Sequence, residues 1–153
     1  MLVVLAGIVA GCAAPGEEPS PPARWPEAAI AELGGRTGAL LIFDPRSCAL
    51  GEALLARLNS LATHAPLRVR GVLLAELPGD SARAALGRDL GIAFPLVEDP
   101  GGQWRAQVAA MGLSQPVLII VKRGAVRSVL AGEAVERLDG DLPGLEMASA
   151  GPP

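Results

Sequence analysis

The chain has 153 residues, 50% of them hydrophobic and 19% charged, and a net charge of −3. That length fits one domain with a real core, and thirteen basic against sixteen acidic residues, with no basic cluster along the chain, offer nothing to match a phosphate backbone. Only Trp25, Phe43, Phe94 and Trp104 are aromatic, too few for a base-stacking surface, which argues against nucleic acid as a partner.

Two cysteines, Cys12 and Cys48, exclude a disulfide-dense scaffold and a zinc site built from four cysteines. The single histidine, His64, leaves no His-rich metal site, and no G-x-S-x-G elbow accompanies it. Neither a metal nor a cofactor is expected, and covalent chemistry is left to a lone thiol.

In chain order, residues 1–10 form an uncharged apolar run, MLVVLAGIVA. It is too short to span a bilayer, which needs about 20 residues, but it has the length of a signal-peptide core. Val9-Ala10-Gly11-Cys12 resembles the bacterial lipobox, in which small residues precede a cysteine that takes lipid and becomes the mature N-terminus. No Lys or Arg precedes the run, a departure from that pattern. The Pro-rich acidic stretch that follows suits a tether, since it cannot build a core. The expected organisation is a lipoprotein signal at 1–11, a tether at 12–25, one domain at 26–140 and a disordered tail at 141–153. The implied location is the cell envelope, with Cys12 holding the chain to a membrane and the body facing the periplasm or cell exterior.

Within the body, a short helix is predicted over 26–33, with Pro26 at its start and Gly34-Gly35 at its end. Residues 38–43 are a continuous apolar run, the pattern of a strand buried on both faces. After Asp44-Pro45-Arg46-Ser47, the spacing of Leu50, Leu54, Leu58 and Leu61 predicts a helix from Cys48 to about His64. A second strand is predicted over 69–74 and a helix capped by Asp80 and ended by Gly91. Then come a short strand at 94–97, a turn at 99–102 and a helix over 103–111. Residues 116–121 and 125–130 read as two strands joined by an Arg123-Gly124 hairpin, with a last helix near Glu133. The order α-β-α-β-α-β-α-β-β-α predicts an α/β fold with a central mixed sheet and helices on both faces.

An apolar strand ending in Phe43 leads, five residues on, to Cys48. Downstream stand Phe94-Pro95-Leu96-Val97-Glu98-Asp99-Pro100-Gly101-Gly102, then Ser114-Gln115-Pro116-Val117-Leu118, then the Lys122-Arg123-Gly124 hairpin. In these features residues 37–132 resemble the thioredoxin-like fold, especially membrane-tethered thiol-disulfide oxidoreductases and peroxiredoxin-related proteins. The resemblance implies that Cys48 is the nucleophile and that Pro116 is a cis-proline facing it. Two departures stand out: Gly51 occupies the place of the second cysteine of C-x-x-C, and Ser47 that of the usual Trp. The peroxiredoxin pattern P-x-x-x-T/S-x-x-C is not met, because Leu41 and Pro45 stand at its Pro and Thr/Ser positions.

The reactive form of cysteine is the thiolate, and a free cysteine titrates near 8.5. At a helix start Cys48 would be more acidic than that, and Arg46 could add a positive charge. The thiolate could attack a disulfide and form a mixed disulfide, which an external thiol must resolve. The alternative is that Cys48 is an inert apolar residue at the strand–helix junction. Trp104 reads as core, Glu76 as an exposed loop acid and His64 as a complement to a helix C-terminus. Two functions follow: a single-cysteine thiol-disulfide exchange protein acting on protein thiols or disulfides, or a redox-inactive module that binds extended peptides.

Overall fold

The computed structural model describes residues 25–47, 50–63 and 67–138, together with Leu142 and Leu145. The expected signal segment, Cys12, nearly all of the tether, Cys48, His64 and most of the expected tail lie outside the described residues. The elements are α1 (Trp25–Glu32), β1 (Gly38–Phe43), α2 (Glu52–Ala62), β2 (Arg68–Leu73), α3 (Asp80–Asp89), β3 (Leu96–Glu98), α4 (Gln103–Ala110), β4 (Val117–Lys122), β5 (Ala125–Ala131) and α5 (Glu133–Glu136). No helix among the described residues is long and apolar enough to cross a membrane.

The five strands form one sheet in the order β3-β2-β1-β4-β5. β1 is parallel to β2 and β2 to β3, whereas β4 is antiparallel to both β1 and β5. β1 is central and all six of its residues are buried, which explains its unbroken apolar sequence. Its side chains alternate between faces. Ala39, Leu41 and Phe43 pack with Leu54, Leu58 and Leu61 of α2, while Leu40 and Ile42 pack with Ala29, Leu33, Trp104 and Val108 on the side of α1 and α4. The sheet is therefore covered on both faces, as the chain order predicts. Each fully buried Leu or Phe contributes roughly 1.5–3 kcal/mol of hydrophobic burial.

Local chemistry accounts for the junctions. The β4–β5 turn holds Arg123 at φ 55° and Gly124 at φ 71°, the two positive angles a two-residue type I′ hairpin demands. Asp99 accepts hydrogen bonds at both carboxylate oxygens, from Trp104 N (2.8 Å) and Arg105 N (3.0 Å), and so satisfies free N–H groups of α4. Gly38 begins β1 because a Cβ there would collide with the Arg68 carbonyl.

Three expectations need correction. α2 begins at Glu52 rather than at residue 48, because its N-cap Gly51 is extended (φ −65°, ψ 139°) and Leu50 is not helical. α3 is capped by Gly79, whose φ of 91° suits glycine, and Asp80 is the first helical residue, paired with Arg83. The buried body also passes residue 140, since Leu142 and Leu145 are each 4% exposed and belong to the core on the α2 side.

Candidate functional site

The segment that carries Cys48 leaves the C-terminal end of the central strand β1. Cys48 and Ala49 lie outside the described residues, so the site is defined by what brackets them. Asp44 and Pro45 open a tight turn: Ser47 N donates to Asp44 O (3.1 Å) and Arg46 N donates to the Asp44 carboxylate (2.9 Å). Asp at the first position and Pro at the second are the residues such a turn favours, one for its acceptor oxygen and the other for its fixed φ.

The same Asp44 reaches across the fold. Its backbone N–H donates to Gln115 Oε1 at 2.9 Å, joining residues 71 apart in sequence. Gln115 precedes Pro116, and the Gln115–Pro116 bond is cis. Pro116 is buried at the start of β4. On its far side, Gly132 N donates to both Pro116 O (2.8 Å) and Ser114 O (3.0 Å). Gly132 holds φ 54° and ψ −129°, a conformation that favours glycine, and a Cβ there would stand 3.0 Å from Ser114 Cβ. The turn after β1 is thus fastened to the segment around Pro116 through the Gln115 side chain, and that segment is fastened to Gly132 by backbone bonds.

Beside the turn lies a cleft of about 600 Å3. Phe43, Leu50, Leu55 and Leu90 give it an apolar lining, and the acids Glu52 and Asp89 also border it. Arg46 borders it too, but its guanidinium is paired with Asp44 at 3.4 Å and its side chain is 72% exposed. That pairing offsets the positive charge expected of it. Glu76 is exposed after β2, as expected of a loop acid, and Trp104 is core, only 5% exposed.

At Gly51 an added Cβ would meet its nearest neighbour, Glu136 O, at an ordinary 3.6 Å. Its φ of −65° is open to any residue. The position of the absent second cysteine could therefore hold a side chain. The N-terminus of α2 lies at Gly51 and Glu52, where Leu55 N donates to Gly51 O at 3.1 Å. Its dipole acts mainly within the first turn. The expected first-turn position of Cys48 is thus corrected: residue 48 precedes the first helical residue by four.

Sequence reading missed Gln115 and Gly132, whose roles depend on partners distant along the chain. It also missed Asn59, which clamps α2 to the loop after α3 by donating to Gly91 O (2.7 Å) and accepting from Ala93 N (2.8 Å). The Asp-Pro pair was a visible signal for Asp44; nothing local distinguished the other three.

No protein family model matches the chain, and neither does any curated protein. Solved structures similar to it include a secreted disulfide oxidoreductase of Mycobacterium tuberculosis homologous to Escherichia coli DsbE, at 18% identity, TM-score 0.49, and coverage of 67% of this chain and 73% of that one. A thiol:disulfide interchange protein of the thioredoxin family from Chlorobium tepidum has the same identity and TM-score, with 67% and 74% covered. The exposed lipoprotein thioredoxin of Streptococcus pneumoniae aligns at 18% identity and TM-score 0.46, with 69% and 84% covered. The fold itself is settled by the sheet order and by helices on both faces: the chain is an α/β protein with a thioredoxin-like fold.

Proposed function

We propose that this chain is a lipid-anchored, extracytoplasmic thioredoxin-like protein in which Cys48 carries out thiol-disulfide exchange with protein thiols or disulfides. The observation that carries the reading is the 2.9 Å bond from Asp44 N to Gln115 Oε1, which fastens the turn leading to residue 48 to the segment of Pro116. It supports a single site at the C-terminal end of β1, beside a cleft with apolar lining. There the Cys48 thiolate attacks one sulfur of a disulfide, the S–S bond breaks, and the second sulfur leaves as a thiolate. With Gly51 in place of a second cysteine, an external thiol completes the cycle. Cys12 takes the lipid and residues after it form the tether. Arg46, held against Asp44, has its positive charge offset there rather than charging the thiol.

Insulin reduction driven by dithiothreitol tests the exchange. The chain with Cys12→Ser should form a mixed disulfide but turn over slowly, and adding Gly51→Cys should give sustained turnover. If neither protein forms a mixed disulfide, the reading fails.

The redox-inactive peptide-binding module is the second reading, favoured by the start of α2 at Glu52, which moves the helix terminus away from residue 48.

A further inference from the structure

The end of the sheet opposite the candidate site gathers cations that are scattered along the chain. Gly38 of β1 pairs with Arg68 of β2, and Gly38 also stands opposite Val121 of β4, whose next residue is Lys122. Arg123 forms the hairpin at the same edge, and its N–H donates to Thr37 Oγ1 at 3.1 Å. Thr37 follows Arg36, and Arg127 lies in β5 beside the Val126–Val121 pair. Arg36, Arg68, Arg123 and Arg127 are exposed and Lys122 half-exposed. None of the five forms an ion pair with a carboxylate among the described residues. From β2 to β5 is three strand spacings, about 15 Å, so the charges present one short row.

We propose that this basic end is a docking surface for a membrane of anionic phospholipids, holding the candidate site on the side away from the bilayer. The inference rests on the anchored reading for its biological setting, but the docking itself does not need the lipid. Complementarity of charge carries it: the whole chain is net negative, yet five cations with no carboxylate partner among the described residues gather at one end of the sheet. Each Lys or Arg close to an anionic surface is worth about 1 kcal/mol, which corresponds to about fivefold in partition. No aromatic residue joins the row, which disfavours single-stranded nucleic acid. The chain between Cys12 and Trp25 has 12 residues and reaches about 40 Å when extended, against about 12 Å for the length of α1, so an anchor at Cys12 would let this end meet the bilayer.

The test is co-sedimentation of the full chain carrying Cys12→Ser with phosphatidylcholine vesicles, with and without phosphatidylglycerol, at low and high salt. The apolar run at residues 1–10 contributes equally to both vesicles, so the signal is the difference between them. The account expects stronger binding to phosphatidylglycerol vesicles, weakened by salt. Combined Arg36→Glu, Arg68→Glu and Arg127→Glu should lower it by at least about 100-fold, the loss expected from removing three cations alone. The charge-conserving Arg36→Lys, Arg68→Lys and Arg127→Lys set should keep it, which separates charge from folding. Equal binding to both vesicles, or binding unchanged by the reversal, overturns the proposal. Binding to duplex DNA in place of vesicles, or self-association as the only property lost on reversal, also overturns it. Because Cys12 is absent from the assay, docking is read without the lipid; a chain with Cys12 intact that takes no lipid in a separate labelling experiment would refute the anchor and leave the docking surface standing.

Discussion

The two ends of the sheet are built on opposite electrostatic plans. At the end where β1 emerges, three described cations pair with carboxylates, Arg46 with Asp44, Arg83 with Asp80 and Glu98, and Arg137 with Glu133, and Arg105 donates to the Leu74 carbonyl. At the hairpin end, Arg36, Arg68, Lys122, Arg123 and Arg127 have no carboxylate partner among the described residues. Pairing cancels a field at distance and leaves geometry, whereas an unpaired row keeps its field and needs no particular geometry. The site end is accordingly fastened by hydrogen bonds between distant segments, through Asp44, Gln115 and Gly132. The basic end is shaped by the sheet ladder and a two-residue turn. One end is suited to holding a reacting group in position, the other to meeting an extended charged surface.

The contrast can be broken from the site end first. Phe43 is fully buried beneath the cleft, and Phe43→Ala should cost about 3–5 kcal/mol in a urea titration, the largest effect expected. Gly132→Ala should cost about 1–3 kcal/mol, because alanine must adopt the φ of 54° and crowd Ser114. It should also slow disulfide exchange at Cys48 if the Pro116 segment shapes the site. Gln115→Ala should cost about 1 kcal/mol by leaving the part-buried Asp44 N–H without its acceptor. Arg46→Ala should change stability by less than about 0.5 kcal/mol, since its pair is exposed. A large loss at Arg46 together with none at Gln115 would reverse the account of what holds the turn.

The legible parts of the fold were those whose cause is local. Residues 38–43 could be read as a strand because burial on both faces leaves six apolar residues in a row between turn residues. Arg123-Gly124 could be read as a hairpin because the turn's φ angles select for glycine. The start of α2 was misplaced because leucine spacing continues through Leu50, while the cap at Gly51 has no side chain to announce it. Asp80 looked like a cap by residue type, yet Gly79 takes that place through its positive φ. Leu142 and Leu145 stand among polar residues and glycines, so their burial was invisible to periodicity. The basic end was missed for a different reason: its members come from positions 36, 68, 122, 123 and 127, and only strand register brings them together. For the same reason the sequence showed Cys48 and Pro116 through a resemblance, but not the Asp44–Gln115 bond that connects their segments.

The central claim is that Cys48 is an exchanging thiol rather than packing. The direct measurement is its rate of reaction with 5,5′-dithiobis(2-nitrobenzoate) in the full chain carrying Cys12→Ser, folded and then unfolded in urea. An accessible exchanging thiol reacts in the folded chain at least as fast as in the unfolded one. A folded rate lower by about tenfold or more, the mark of a thiol shielded from solvent and reagent, would contradict the account and leave the peptide-binding module in its place.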